Sequence, residues 1–358
     1  MADSYARIAD LPLEIESLEL DGLELRFSDE FTRVTTLVKL HGPDGSGPGV
    51  GEDVTYDGLD HAALQADGAS LDLAGSYTFD SFSRRLDEVE LWPDPPVREP
   101  SRDYRRWAFE SSALDLALQQ AGRSLADALE REARPVNYVV SMRLEWFDHE
   151  GPDRPDRLLR LLERYPTTRF KLDPTNGWTA ELVETLRSTG AVDSLDLKGC
   201  YKDTPVDVET DPDLYAMVID AFPDAWLEDP DVNDETRPLL DPVAQRITWD
   251  APIHSVADVL ARPWPPRMVN IKPSRFGPVR RLFEMYDWCD REGVGAYGGG
   301  QTELGPGRGH IQYLASLFHP DTPNDTAPGG FNHPQVPDGL PASPLAPRPA
   351  PTGFRWDS

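Results

Sequence analysis

Between Leu11 and Tyr56 apolar residues alternate with polar ones or gather in β-branched runs. LEIESLELDGLEL and RVTTLVKLHG therefore predict the strands of a small meander, and the glycine-rich GPDGSGPGVGE after them predicts a mobile loop. In WAFESSALDLALQQA the positions Trp107, Leu114, Ala117, Leu118 and Ala121 recur at helical spacing, and Gly122 ends the run. Residues 1–134 thus read as an α+β domain. Past Pro135 the pattern changes to short apolar runs separated by amphipathic stretches. NYVVSMRL, TRFKLD, VDSLDLK, DAWLED, QRITWD, RMVNIK and VGAYGG predict parallel strands, each followed by a helical pattern such as RLLRLLERY or PVRRLFEMYDWCDREG. With room for one more strand past HIQYLASLF, residues 135–332 fit an eightfold α/β barrel better than an open doubly wound sheet, and no GxGxxG follows a strand where a dinucleotide fold needs it. Residues 333–358 carry seven prolines and no periodicity, a linker-like tail that can wrap back on the domain.

Charge narrows the range of partners. Thirty-five basic against 63 acidic residues give a net charge of −28, which repels nucleic acid phosphates and acidic membrane surfaces. No apolar stretch is long enough to span a bilayer and the N-terminal stretch has no signal-peptide pattern, so the expectation is a cytoplasmic protein. Cys200 and Cys289 are too few and too far apart for a disulfide framework or a thiolate zinc site. Only five basic residues are lysines (39, 171, 198, 202, 272), a surface that fits a halophilic, high-salt setting where like charges are screened. Lys39 and Lys202 read as incidental.

In a parallel barrel, chemistry sits at the C-terminal strand ends, so the residue ending each run matters. Those residues are Lys171 and Asp173, Asp196 and Lys198, Glu228 and Asp229, Asp250, and Lys272, with Asp196, Glu228, Asp250 and Lys272 about one βα unit apart. Asp196, Glu228 and Asp250 offer hard oxygen ligands without a histidine or cysteine cluster, which suits Mg²⁺ or Mn²⁺. Lys272, in VNIKPSRFG, stands near that ion and partly desolvated, and both effects favour the neutral amine a general base needs. Lys171 and Asp173 face one side of their strand, as do Asp196 and Lys198, so each pair can form a salt bridge in the mouth. Lys171 is then a carboxylate anchor or a second base, and Lys198 neutralises Asp173 or reaches the substrate. After the seventh strand, GGGQTELGPGRG allows close backbone approach to a ligand, with Gln301 and Glu303 placed to hydrogen-bond it.

These residues together resemble the enolase superfamily, closest in layout to its muconate-lactonizing-enzyme-like branch. WLEDP, ITWD, NIKPSRFG and GVGAYGGG are similar to its barrel signatures, and the N-terminal part is similar to its capping domain with a glycine-rich lid loop. The resemblance covers nearly everything except the proline-rich tail. It implies a modified (β/α)7β barrel, Mg²⁺ on Asp196, Glu228 and Asp250, and a base at Lys272. Departures are equally visible. Members usually carry KxK on the second barrel strand, where this chain has Lys171 and Asp173, and DxN where it has Asp196-Leu-Lys198. No histidine marks the seventh strand, and Asp250 runs into Ala-Pro-Ile-His254. Reading KLDPTNGW as the metal strand would make Asp173 the first ligand, but it leaves VDSLDLK unassigned.

The expected chemistry is removal of the proton α to a substrate carboxylate, with an enediolate stabilised by the divalent ion, the solution known for enolase-superfamily sites. Lys272 takes the proton, Lys171 helps neutralise the carboxylate, and Asp173 or Lys198 serves as acid for a departing group. A single base favours elimination or cycloisomerisation over epimerisation. Alternatives are a racemase or epimerase of the same superfamily, a Schiff-base lysine aldolase, and a barrel that only binds an acid. The partner is a small-molecule carboxylate, its specificity set by loops at Phe27–Phe31 and Gly42–Tyr56, with homo-oligomerisation left open.

Overall fold

The computed structural model describes residues 3–27, 31–43, 45, 47–92, 94–144, 153–202, 204, 206–333 and 335–356. Residues 28–30, 44 and 46 of the two expected specificity loops lie outside the described residues. Strands β1 (Pro12–Ile15), β2 (Ser17–Arg26), β3 (Thr32–His41), β4 (Gly49–Asp53) and β5 (Gly75–Thr78) form two antiparallel sheets, β1–β5 and β2–β3–β4. Part of the segment read as a mobile glycine loop is therefore strand β4. Its glycines are needed for contact: a Cβ on Gly49 or Gly51 would strike the Ser112 or Ala108 carbonyl oxygen of the helix Ser101–Gln120. That helix is buried along most of its length and carries apolar residues on nearly every face.

Strands β6 (Val139–Met142), β7 (Arg169–Leu172), β8 (Val192–Asp196), β9 (Trp226–Glu228), β10 (Ile247–Thr248), β11 (Met268–Ile271) and β12 (Gly295–Gly298) fall on the seven expected runs. β6 to β10 pair in parallel in sequence order, and β11 pairs in parallel with β12. Asn270 N–H donates to Trp249 O at 3.0 Å, linking β11 to the end of β10. On the other side Asp325 N–H donates to Gly298 O and Val139 N–H to Asn324 O, each at 2.8 Å. The two residues Asn324 and Asp325 thus stand in the eighth position, and the result is a TIM-barrel-like ring beneath the N-terminal layer.

The tail does not trail as a linker. Leu345 bridges Val136 and Gly353 bridges Ser124, and the buried Phe354 ring stacks on His310 at 4.2 Å and meets Trp107 edge-on at 6.2 Å. Proline removes backbone donors, so this segment attaches by side chains and isolated bridges instead of a ladder. Lys39 on β3 pairs with Glu19 and Asp21 of β2, and Lys202 pairs with Asp207 and Asp231 in the segments that follow β8 and β9.

Candidate active site

Asp196, Glu228 and Asp250 end β8, β9 and the extension of β10, and one carboxylate oxygen from each lies within 4.8 Å of the others. All three are buried. Two neighbouring strand ends bend through a left-handed residue, Lys198 at φ 55° and Asp229 at φ 48°, conformations a non-glycine residue adopts only where its surroundings hold it there. The turn at Asp229 puts its carboxylate under the next strand, where it accepts the N–H groups of Asp250 and Ala251, each at 2.8 Å.

Each triad member has its own brace. Lys171 Nζ pairs with Glu228, lies 3.3 Å from Asp196 and 3.7 Å from Asp325, and Tyr297 donates its hydroxyl to the other Glu228 oxygen. Lys198 Nζ reaches Asp196 at 2.5 Å and Asp173 at 3.2 Å. Lys272 Nζ donates to Asp250 Oδ2 at 2.9 Å and Arg275 to Asp250 Oδ1 at 2.7 Å, while Tyr201 donates to Oδ2 at 2.8 Å. The expected Lys171–Asp173 bridge is therefore replaced by two pairs that cross strands. Lys171 turns to Glu228 because three carboxylates converge on it, and Lys198 reaches back over β7 to neutralise Asp173.

The balance of charge shows what the cluster lacks. Burial and the neighbouring Asp196, Asp250 and Asp229 hold the Glu228 carboxyl well above its usual range despite Lys171. Burial, with Asp250 and Asp196 adding to it, pushes Asp229 up to about 7, and burial pushes Asp173 up to about 6 against the pull of Lys198. Burial also acts to raise Asp196 and Asp250, but Lys198 and Lys171 outweigh it at the first, and Arg275 and Lys272 at the second, so both stay low. Burial works against the Lys171 ammonium, and the surrounding acids more than restore it. The resident cations thus leave carboxylate charge uncompensated. Three buried hard oxygens within reach of one centre fit Mg²⁺ or Mn²⁺ and do not fit a soft metal.

Residues the sequence had not singled out complete the site: Tyr201, Tyr297 and Arg275 as braces, Asp325 at the eighth position, and Asn270. Asn270 is two residues before Lys272, and that period-two spacing was available as a signal. For Tyr201 and Asp325, which lie in loops, no spacing rule applied. Gln301 and Glu303 are both buried beyond β12, with Glu303 accepting the Gln301 N–H at 2.6 Å and pairing with Arg308 at 3.0 Å. From the N-terminal layer, Arg33 donates to Gln301 O at 2.9 Å and Thr302 O at 3.2 Å, and Glu52 accepts N–H groups of Leu304, Gly305 and Gly307.

In fold and in the layout of its site the chain is similar to members of the enolase superfamily, on its muconate-lactonizing and racemase side. More narrowly, the chain belongs to the family described as "Domain of unknown function (DUF8230)", matching its N-terminal domain over residues 6–128 and its C-terminal domain over residues 132–333. It is similar to o-succinylbenzoate synthase of Bacillus subtilis (strain 168), 27% identical over 67% of this chain and 62% of that protein. It is also similar to N-succinylamino acid racemase of Amycolatopsis sp, 28% identical over 87% of this chain and 86% of that protein. The match spans less than two thirds of the first synthases' length, 62% and 64%. Among solved structures, a dipeptide epimerase from Enterococcus faecalis V583 matches with a TM-score of 0.68 at 15% identity, covering 97% of this chain and 100% of that one. Muconate lactonizing enzyme from Pseudomonas putida matches with 0.66 at 17% identity, covering 96% and 97%. These likenesses establish a capping layer on a TIM-barrel-like fold.

Proposed function

We propose that the chain is an enzyme that removes the proton α to the carboxylate of a small molecule, with Lys272 as base, and proceeds to elimination or cycloisomerisation. The observation that carries this reading is the gathering of Asp196, Glu228 and Asp250 within 4.8 Å, with Lys272 Nζ 2.9 Å from Asp250 on the next strand. Asp196, Glu228 and Asp250 would hold Mg²⁺, which when bound supplies positive charge beside the carboxylate oxygens on which charge develops. Lys272 accepts the proton at Nζ, and Arg275 shares the Asp250 carboxylate so that the amine is not the only cation holding it. Lys171 adds charge that favours a bound carboxylate. Asp173, capped by Lys198, faces β11 across the ring and serves as acid toward a departing group.

The same reading takes the fold as the modified (β/α)7β barrel with an α+β cap over 1–134, the barrel over 135–332 and a packed tail over 333–358. The names of the relatives, synthase, racemase, epimerase and cycloisomerase, agree with a carboxylate substrate and leave the outcome of the carbanion open. One observation favours epimerisation as the second reading. Lys198 carries its ammonium to within 3.2 Å of Asp173, on the β7 side opposite Lys272.

Incubation in D₂O with Mg²⁺ and a library of carboxylates tests the proposal. Deuterium should enter the α-position of the accepted acid, and Lys272→Ala should slow that exchange by about 100-fold or more. Exchange that persists in Lys272→Ala removes the residue from the role, and inversion of configuration during exchange selects epimerisation.

A further inference from the structure

Two buried carboxamides at the mouth have side-chain atoms with no partner among the described residues: Nε2 of Gln301, and both Nδ2 and Oδ1 of Asn270. β12 and its extension alternate in the manner of a strand. Tyr297 turns inward to Glu228, and a Cβ on Gly299 would meet Lys272 Cε at 2.7 Å and Asn270 Oδ1 at 2.8 Å. Gly300 faces the other way, toward Glu303 and Ile311. Gln301 stands two residues beyond Gly299, in the bend that carries the chain from this strand end to Arg33 and Tyr56 of the capping layer.

Gln301 is 3% exposed and almost wholly committed. Its N–H donates to Glu303 Oε1 at 2.6 Å, its carbonyl accepts from Arg33 at 2.9 Å, and its Oε1 accepts from the Tyr56 hydroxyl at 3.0 Å. What remains is the Nε2 amide, a donor on a residue held by these three contacts. A buried donor left unpaired is costly, and such groups persist where a ligand completes them.

We propose that Gln301 is the specificity-determining residue of this site. Its Nε2 donates to an acceptor oxygen that the substrate carries away from its reacting carboxylate, such as an acyl or amide carbonyl. Tyr56, from the capping layer, is a positioning residue that fixes which end of the carboxamide is presented, and Glu303 braces the backbone and does not touch the substrate. The inference rests on the reading of the site as a carboxylate-binding centre. A pocket built around a buried donor discriminates strongly against an analogue lacking the acceptor, because that donor is then stranded.

Dissociation constants measured by calorimetry on the Mg²⁺-loaded full chain provide the test. The probes are a panel of 2-acetamido acids with small, aliphatic and aromatic side chains, and their 2-propyl isosteres in which –NH–CO–CH₃ becomes –CH₂–CH₂–CH₃. The intact protein should prefer the acetamido member of the best pair by about tenfold. Gln301→Met, which keeps length and removes the donor, should abolish that preference while leaving the isostere's affinity and the Mn²⁺ affinity unchanged. Tyr56→Phe, at a half-exposed position that does not threaten folding, should reduce the preference by releasing the amide to flip. A preference that survives Gln301→Met, or no preference in the intact protein, overturns the inference while Lys272-dependent exchange keeps the parent reading. Failure to bind either class also overturns the inference, and the parent reading then stands or falls on the Lys272-dependent exchange.

Discussion

Glu228 shows at the scale of one residue how the site trades stability for chemistry. Its carboxylate is buried, faces two other buried acids, and is held by one ammonium and one phenol. Burial and the neighbouring acids already favour the neutral form of this carboxyl, and Lys171 keeps Asp196 and Asp325 as partners when the Glu228 charge is removed. Glu228→Gln is therefore expected to leave the metal-free protein as stable or more so, while weakening Mn²⁺ binding by about 10-fold or more. Thermal unfolding and electron paramagnetic titration of Mn²⁺ measure the two effects. Undiminished Mn²⁺ affinity in the variant would show that the triad is not the metal site. The scarcity of lysine was informative in the same way: Lys171, Lys198 and Lys272 all lie against the triad, and Lys39 and Lys202 lie elsewhere.

Among elements, the eighth barrel position is the weakest link, since two residues do the work of a strand. Asn324 Oδ1 accepts from Gly298 N–H at 2.6 Å and from His319 Nδ1 at 2.7 Å, and His319 Nε2 faces the Tyr286 hydroxyl at 3.3 Å. This network uses a neutral imidazole, donor at one nitrogen and acceptor at the other. Burial pushes His319 down to about 4, and burial also pushes His310, stacked on Phe354 in the tail, down to about 3. Both folded values lie below the unfolded one of about 6.5, so the unfolded chain takes up protons first as pH falls. Their contribution to stability is complete above about pH 6.5 and declines below it, by about 1–2 kcal/mol for each ring between pH 7 and 5. The buried acids Asp173 and Asp229, whose folded values are raised, act in the opposite direction, so the histidine effect is read by difference: the denaturant midpoint of His310→Phe, which retains the stacking, should rise relative to that of the intact chain as pH falls from 7 to 5. An unchanged difference would mean that His310 is not the group responsible.

For the whole molecule, a net charge of −28 is set against a capping layer joined to the barrel by buried charge. Glu52 and Arg33 close the layer onto the segment after β12, and Phe354 with Arg355 fastens the helix Ser101–Gln120 to the helix Gly307–Phe318 through His310 and Tyr313. Surface repulsion opposes this closure and is screened by salt, whereas the buried pairs are screened far less. Raising KCl from about 0.1 to 2 M should raise the thermal midpoint by several degrees, and a fall would show that surface repulsion does not limit stability. By itself the sequence determined the barrel strands, the three carboxylates and the three lysines, because period-two alternation and one strand end per βα unit are local properties. Tertiary structure decided which lysine meets which acid, that Gly49 and Gly51 serve a packed strand instead of a loop, and that Tyr201, Tyr297 and Asp325 join the site. Those outcomes depend on distances between segments remote in the chain, set by ring closure and burial, which no local pattern encodes.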